Sequence, residues 1–143
     1  MDRLKKLDEL LQNFVSLEKR RRENKERLRA LFDELSLYEK AGDFENIFDF
    51  GAINVTGLWL QEEKFCQIQP NRYVQIIAIA KENGRSKNIN LRYFGKSDTL
   101  QKDLIEKIAE FIIRWRFEKA FLNLEQYERL ARRFDEAKVE REV

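Results

Sequence analysis

The first forty residues contain neither Gly nor Pro; Gly42 is the first residue of either kind. A breaker-free stretch of that length folds as one long helix, or as two helices joined by a bend that ordinary residues must make. The heptad pattern favours one. With Leu4 at position a, the a series reads Leu4, Leu11, Glu18, Lys25, Phe32 and the d series Leu7, Phe14, Arg21, Leu28, Leu35. Position g adds Leu10, Leu17, Asn24, Leu31 and Tyr38. Both ends carry an apolar face wider than a strict coiled-coil seam. The middle, residues 18–27, has no apolar side chain. No Gly or Pro marks a bend near Glu23 and Asn24, so residues 1–40 read as one helix. Gly42 is placed to terminate it as the C′ residue after Lys40.

A helix of about 40 residues spans roughly 60 Å, about twice the width of a small domain. Both apolar ends therefore cannot rest on one small body. Leu28, Leu31, Phe32 and Leu35 are expected to pack on the chain's own core. Leu4, Leu7, Leu11 and Phe14 are expected to meet a second chain. The charged middle would bridge in solvent, supported by pairs at spacing four such as Glu18–Arg22 and Glu23–Arg27.

The chain's 143 residues suffice for a single domain with a respectable core. With 43% hydrophobic residues and 11 Phe, the chain is not of the disordered class. From residue 47 to residue 94 the periodicity changes from helical to alternating or continuous apolar runs rich in β-formers. Residues 47–50 and 53–60 read as strands interrupted by Gly51 and Gly57. Residues 61–64 read as a turn, 65–69 as a short strand, and Pro70-Asn71 as a second turn. Residues 73–81 form the best strand, apolar on both faces and so expected to be central and covered on both sides. Asn83-Gly84 is a strong hairpin signal, and residues 88–94 alternate as the returning strand. Asp98, with Gln101 three residues on, reads as a capping box opening a helix whose apolar set is Leu104, Ile105, Ile108, Phe111, Ile112, Trp115 and Leu122. Asn123, followed by Gln126, reads as the N-cap of a last helix over about 124–139, with Tyr127, Leu130, Ala131, Phe134 and Ala137 on its apolar side. The expected fold class is α+β: a long N-terminal helix (residues 1–41), then a body (45–143) with an antiparallel meander of four to five strands and two C-terminal helices.

Several chemistries are excluded by composition. The chain has no His and one Cys, so His bases, Ser–His and Cys–His pairs, His metal ligands and cysteine clusters are all missing. Catalysis would have to rest on carboxylates, Lys, Tyr or a carboxylate-held Mg²⁺. Cys66 cannot close an internal disulfide, which fits a reducing cytoplasm; it reads as a small buried hydrophobe. The five glycines build no phosphate-cradling loop. No run approaches the ~18 apolar residues of a membrane span, and the charged N-terminus is no signal peptide.

Net charge is +2 but unevenly placed. Residues 19–29 hold seven cations against two glutamates; residues 33–63 hold eight carboxylates against Lys40; residues 81–96 hold five cations against Glu82. Such a basic–acidic–basic order suits pairing within the chain or between copies, and equally a polyanion. For nucleic acid the candidates are Arg20, Arg21, Arg22 and Lys25 on the helix and Arg85, Lys87, Arg92 and Lys96 on the hairpin, with Tyr73, Tyr93 and Phe94 to stack bases if exposed. The plainer reading is a solvated helix face paired with glutamates and an ordinary charged hairpin tip. Asp49 followed by Glu62-Glu63-Lys64 resembles the Asp…Glu-x-Lys order of Mg²⁺-dependent nucleases. A polar turn explains the same residues more simply, since that motif belongs inside a strand.

The sequence therefore points to a non-enzymatic protein-interaction and oligomerisation protein of adaptor, scaffold or inhibitor type, cytoplasmic or carried by a virus or mobile element. It is expected to dimerise through Leu4, Leu7, Leu11 and Phe14, with an unidentified protein partner, no cofactor, no metal, no catalytic residue and no membrane contact. Nucleic-acid binding is the alternative; the Mg²⁺ nuclease is the remote one.

Overall fold

The computed structural model describes residues 2–142. Met1 and Val143, which the expected helix and body included, lie outside the described residues. Helix α1 (Asp2–Glu34) is followed by a four-residue helix α2 (Tyr38–Ala41) and a 3-10 helix (Phe44–Asp49). Strand β1 (Ala52–Thr56), a 3-10 turn (Glu62–Lys64) and the strands β2 (Tyr73–Glu82) and β3 (Arg85–Lys96) come next. A last 3-10 turn (Ser97–Thr99) leads into helix α3 (Lys102–Glu142). The three strands form one antiparallel sheet in the order β1-β2-β3.

The class is α+β as expected, and the differences lie in counts and ends. Helix α1 stops at Glu34, six residues early, because Ser36 adopts a left-handed conformation (φ 55°). The N–H of Leu37 donates to the carbonyl of Phe32 and that of Ser36 to Asp33, the paired bonds of a Schellman cap. Leu37 and Phe32 are both buried, supplying the apolar contact that accompanies such a cap. Gly42 terminates the short α2 instead.

Residues 47–50 are not a strand. The carbonyl of Ile47 accepts from the Trp115 indole N–H at 2.8 Å and that of Phe48 from Lys119 Nζ at 2.6 Å. Those acceptors are thus spent on α3 rather than on a ladder, and Phe44 and Ile47 share the buried face at 3-10 spacing. Residues 65–69 keep only an irregular pairing, with one bridge between Leu58 and Ile68. Left-handed Cys66 (φ 61°) breaks the extended run. The sheet therefore has three strands, not four or five.

The two expected C-terminal helices are one. Asn123 caps nothing, because extending a formed helix adds a hydrogen bond per residue while Asn costs only a few tenths of a kcal/mol there. Asp98 caps no helix either. Its carboxylate accepts from the Asn71 N–H, and α3 begins beyond it, with the Ile105 N–H donating to the Gln101 carbonyl.

Asn83 (φ 54°) and Gly84 (φ 76°) make the left-handed two-residue turn between β2 and β3 that their sequence predicts. In β2, Val74, Ile76 and Ala78 are fully buried. They meet Leu28 and Leu31 of α1, Leu35 just beyond its end, and Ile105, Ile108, Phe111 and Ile112 of α3 in one core. β2 is central, but its second face is not covered. The register puts Ala52, Asn54 and Thr56 of β1, Tyr73, Gln75, Ile77, Ile79 and Lys81 of β2, and Ser86, Asn88, Asn90, Tyr93 and Lys96 of β3 on that side. None of them is buried. Ile77 and Ile79 gave this face its apolar look in the sequence; its other positions are mostly polar or aromatic.

Candidate interaction surfaces

Helices α1 and α3 run antiparallel where they touch, and a polar clamp joins them. Arg21 donates through Nη2 to Glu118 Oε1 at 2.7 Å and through Nη1 to Glu125 at 2.9 Å, and its guanidinium lies over the Phe121 ring. Asn24 is buried; its Nδ2 donates to the Arg114 carbonyl, and its Oδ1 accepts from Arg114 Nη1. Arg27 binds Glu110 with two parallel bonds of 3.0 Å, and Arg114 adds a third at 2.6 Å. Hydrogen bonding from Arg27 holds the Glu110 carboxyl below the usual carboxylate range. Hydrogen bonding to Glu118 likewise raises the Arg21 guanidinium above its ordinary value.

This clamp corrects the expectation that residues 18–27 bridge in solvent. Arg21, Asn24 and Arg27 form the polar part of the α1–α3 contact, while the other residues of the stretch are exposed; sequence reasoning missed Asn24, Glu110, Arg114 and Glu118 as members of the clamp. The signal for α1 was the Arg21, Asn24, Leu28, Leu31 and Leu35 series, one continuous helix face. Nothing in the sequence alone assigns the partners on α3. The expected pairs Glu18–Arg22 and Glu23–Arg27 are not among the ion pairs of the described residues; Glu23 pairs with Lys19 at 3.9 Å instead.

Beyond the clamp both helices run free of the body. Every residue from 2 to 16 is exposed, as is every residue from 126 to 136. Leu4 is 68% exposed, Leu7 54%, Leu11 56% and Phe14 59%, with Leu10 and Val15 beside them. On α3, Leu124, Tyr127, Leu130, Phe134 and Val139 are exposed. The helices do not cover each other's apolar residues here. Each arm is about 22–25 Å long.

The nucleic-acid candidates are scattered. Arg21 is taken up by Glu118 and Glu125, and Lys25 pairs with Glu45 at 3.4 Å. Arg20 and Arg22 make no ion pair among the described residues; Arg20 lines a cleft of about 710 Å³ with Phe65, Cys66 and Phe117. In that cleft burial pushes the Cys66 thiol up. On the hairpin, Lys87 pairs with Glu82, while Arg85 stands near them at the tip. Arg92 is on the core side, donating to the Leu35 carbonyl and lying over Phe94. Lys96 is on the open face. The eight cations thus do not form one surface.

Asp49 ends the first 3-10 helix and Glu62 and Lys64 occupy the second, with Lys64 over the Trp59 ring. Among the described residues no group of three His, Cys, Asp or Glu side chains is placed to hold a metal ion. No helix of the described residues is long and apolar enough to cross a membrane.

The open sheet face gathers three of the residues that the sequence offered to nucleic acid, Tyr73, Tyr93 and Lys96. Tyr73 (53% exposed) and Tyr93 (54%) lie side by side on it, ring centroids 5.8 Å apart. Asn90 donates to Gln75 at 2.7 Å beside them. A cleft of about 440 Å³ beside Tyr73 is lined by Thr56, Gln69, Arg72 and Gln75.

Compared with known proteins, the chain matches no family model, no curated protein and no solved structure.

Proposed function

We propose that this protein is a non-catalytic self-associating module that dimerises through the free arms of α1 and α3. The observation that carries the reading is the seam Leu4, Leu7, Leu11 and Phe14, more than half exposed on a helix half that its own body does not touch. The eleven exposed apolar side chains of the two outer helix halves offer on the order of 1,000 Å² per copy. A standard interface takes about 800 Å² from each partner. Residues 2–16 carry three cations and three carboxylates, and residues 126–142 five of each. Charge-balanced arms of matched length suit like-with-like pairing, and two such pairs complete a four-helix arrangement of the isologous kind.

The test is the mass in solution by light scattering after size exclusion. The unmodified chain is expected at twice 17.3 kDa, and Leu7→Lys with Phe14→Lys at 17.3 kDa with an unchanged far-UV CD spectrum. An unmodified chain that stays monomeric at high concentration would sink the reading, as would a dimer indifferent to the double substitution.

A further inference from the structure

We infer that the open face of the sheet binds single-stranded nucleic acid. Three observations converge on it. First, Tyr73 and Tyr93 are exposed neighbours on adjacent strands, their rings 5.8 Å apart and tilted by 47°. Large aromatic rings left half in water on a pleated surface offer flat, sequence-tolerant platforms for successive bases.

Second, the charge on this face has one sign. Its thirteen positions include Lys81 and Lys96 and no carboxylate, in a chain with 26 acidic residues. Arg72 stands exposed at the start of β2, and Arg116 reaches Asn54 at 3.2 Å. The carboxylates at either end of the strands are engaged: Glu82 pairs with Lys87, and Asp98 accepts from the Asn71 N–H. An anionic strand laid across the tyrosines therefore meets cations and no carboxylate on the face itself.

Third, the polar groups next along the face from the rings are amides rather than charges. The Asn90–Gln75 pair keeps one Gln75 amide group and one Asn90 oxygen available to base edges. The cleft beside Tyr73 joins Gln75 to Arg72, so a base on the ring and its phosphate on the guanidinium fall within one site. A flat sheet face fits a splayed single strand and not the groove of a duplex. This surface is separate from the self-association arms, so it stands or falls independently of them.

The experiment is fluorescence anisotropy with end-labelled oligouridylate and oligothymidylate of about a dozen nucleotides, beside a duplex of equal length, across a salt series. Single strands are expected to bind in preference to duplex. Neutralising three phosphates through Arg72, Lys81 and Lys96 gives a slope of log K against log salt of about −2. Tyr73→Ala and Tyr93→Ala should each weaken binding at least about fivefold, with Tyr→Phe at either position retaining it. Lys96→Glu should also weaken it, and Leu7→Lys with Phe14→Lys should leave the affinity per chain intact. Failure of single strands to bind at low salt overturns the inference. So does binding that survives both Tyr→Ala substitutions, or a duplex bound equally well.

Discussion

The ion pair between Arg21 and Glu118 sits near where the two arms leave the body, and its energetics are open to measurement. Glu118 is 6% exposed, and one oxygen accepts from Arg21 at 2.7 Å. Its other oxygen and the Arg21 Nε are buried without a partner. Removing one member of a fully buried pair costs about 3–5 kcal/mol, because a charge is left uncompensated in a poor solvent for it. Arg21 retains 27% of its side-chain surface, so water reaches part of the site and about 2–3 kcal/mol is expected for Arg21→Met. Methionine keeps the length of the apolar stem and gives up the guanidinium's stacking on Phe121. Replacing both residues, Arg21→Met with Glu118→Leu, removes the desolvated charges together. With two polar atoms already unsatisfied, the double variant should lie within about 1 kcal/mol of the unmodified chain. Glu118→Leu alone should cost about 0.5 kcal/mol or more, since Arg21 keeps Glu125 and part of its water, so the coupling is at least about 1.5 kcal/mol, opposite in sign to the single effects. Urea unfolding of the four proteins at one fixed concentration, followed by far-UV CD, gives the cycle. A near-neutral Arg21→Met, or a double variant costing the sum of the singles, would refute the reasoning.

Two further outcomes follow from the same structure. Glu110 has its carboxyl pKa depressed chiefly by hydrogen bonding from Arg27, against an ordinary value of 4.5. A depressed folded-state value adds stability at neutral pH that is lost as pH falls below the ordinary value; the gap in denaturation midpoint between the unmodified chain and Glu110→Gln should therefore shrink from about pH 6 to pH 3. At two of the left-handed positions, substitutions should act in opposite directions. Ser36→Gly relieves a side chain at φ 55° and should stabilise by about 0.5–1 kcal/mol. Gly57→Ala would set a Cβ 2.7 Å from the Tyr73 carbonyl oxygen and should cost about 2–4 kcal/mol in thermal or urea unfolding.

Signals that act over a few residues were legible without the structure. Asn83-Gly84 closes its hairpin because both residues tolerate positive φ. The spacing of Leu28, Leu31 and Phe32 marks the face of α1 that is buried. The unbroken run before Gly42 gives a helix long enough to leave the body. The arms' apolar seam is likewise a property of the sequence, since residues 2–16 meet nothing that could override it.

What tertiary structure decided depends on partners far along the chain. Residues 44–49 form a 3-10 helix because Trp115 and Lys119, some seventy positions away, bind the Ile47 and Phe48 carbonyls. The basic middle of α1 is half an interface because Glu110, Glu118 and Glu125 face it from α3. Charge alone cannot distinguish a cation paired inside the molecule from one offered to solvent. The open sheet face is the same kind of fact. Alternation identifies which residues share a side of β2. Only the placement of α1 and α3 decides that Val74, Ile76 and Ala78 are covered while Tyr73, Gln75 and Tyr93 are left to water, because two helices packing on one core can cover only one face of a three-stranded sheet.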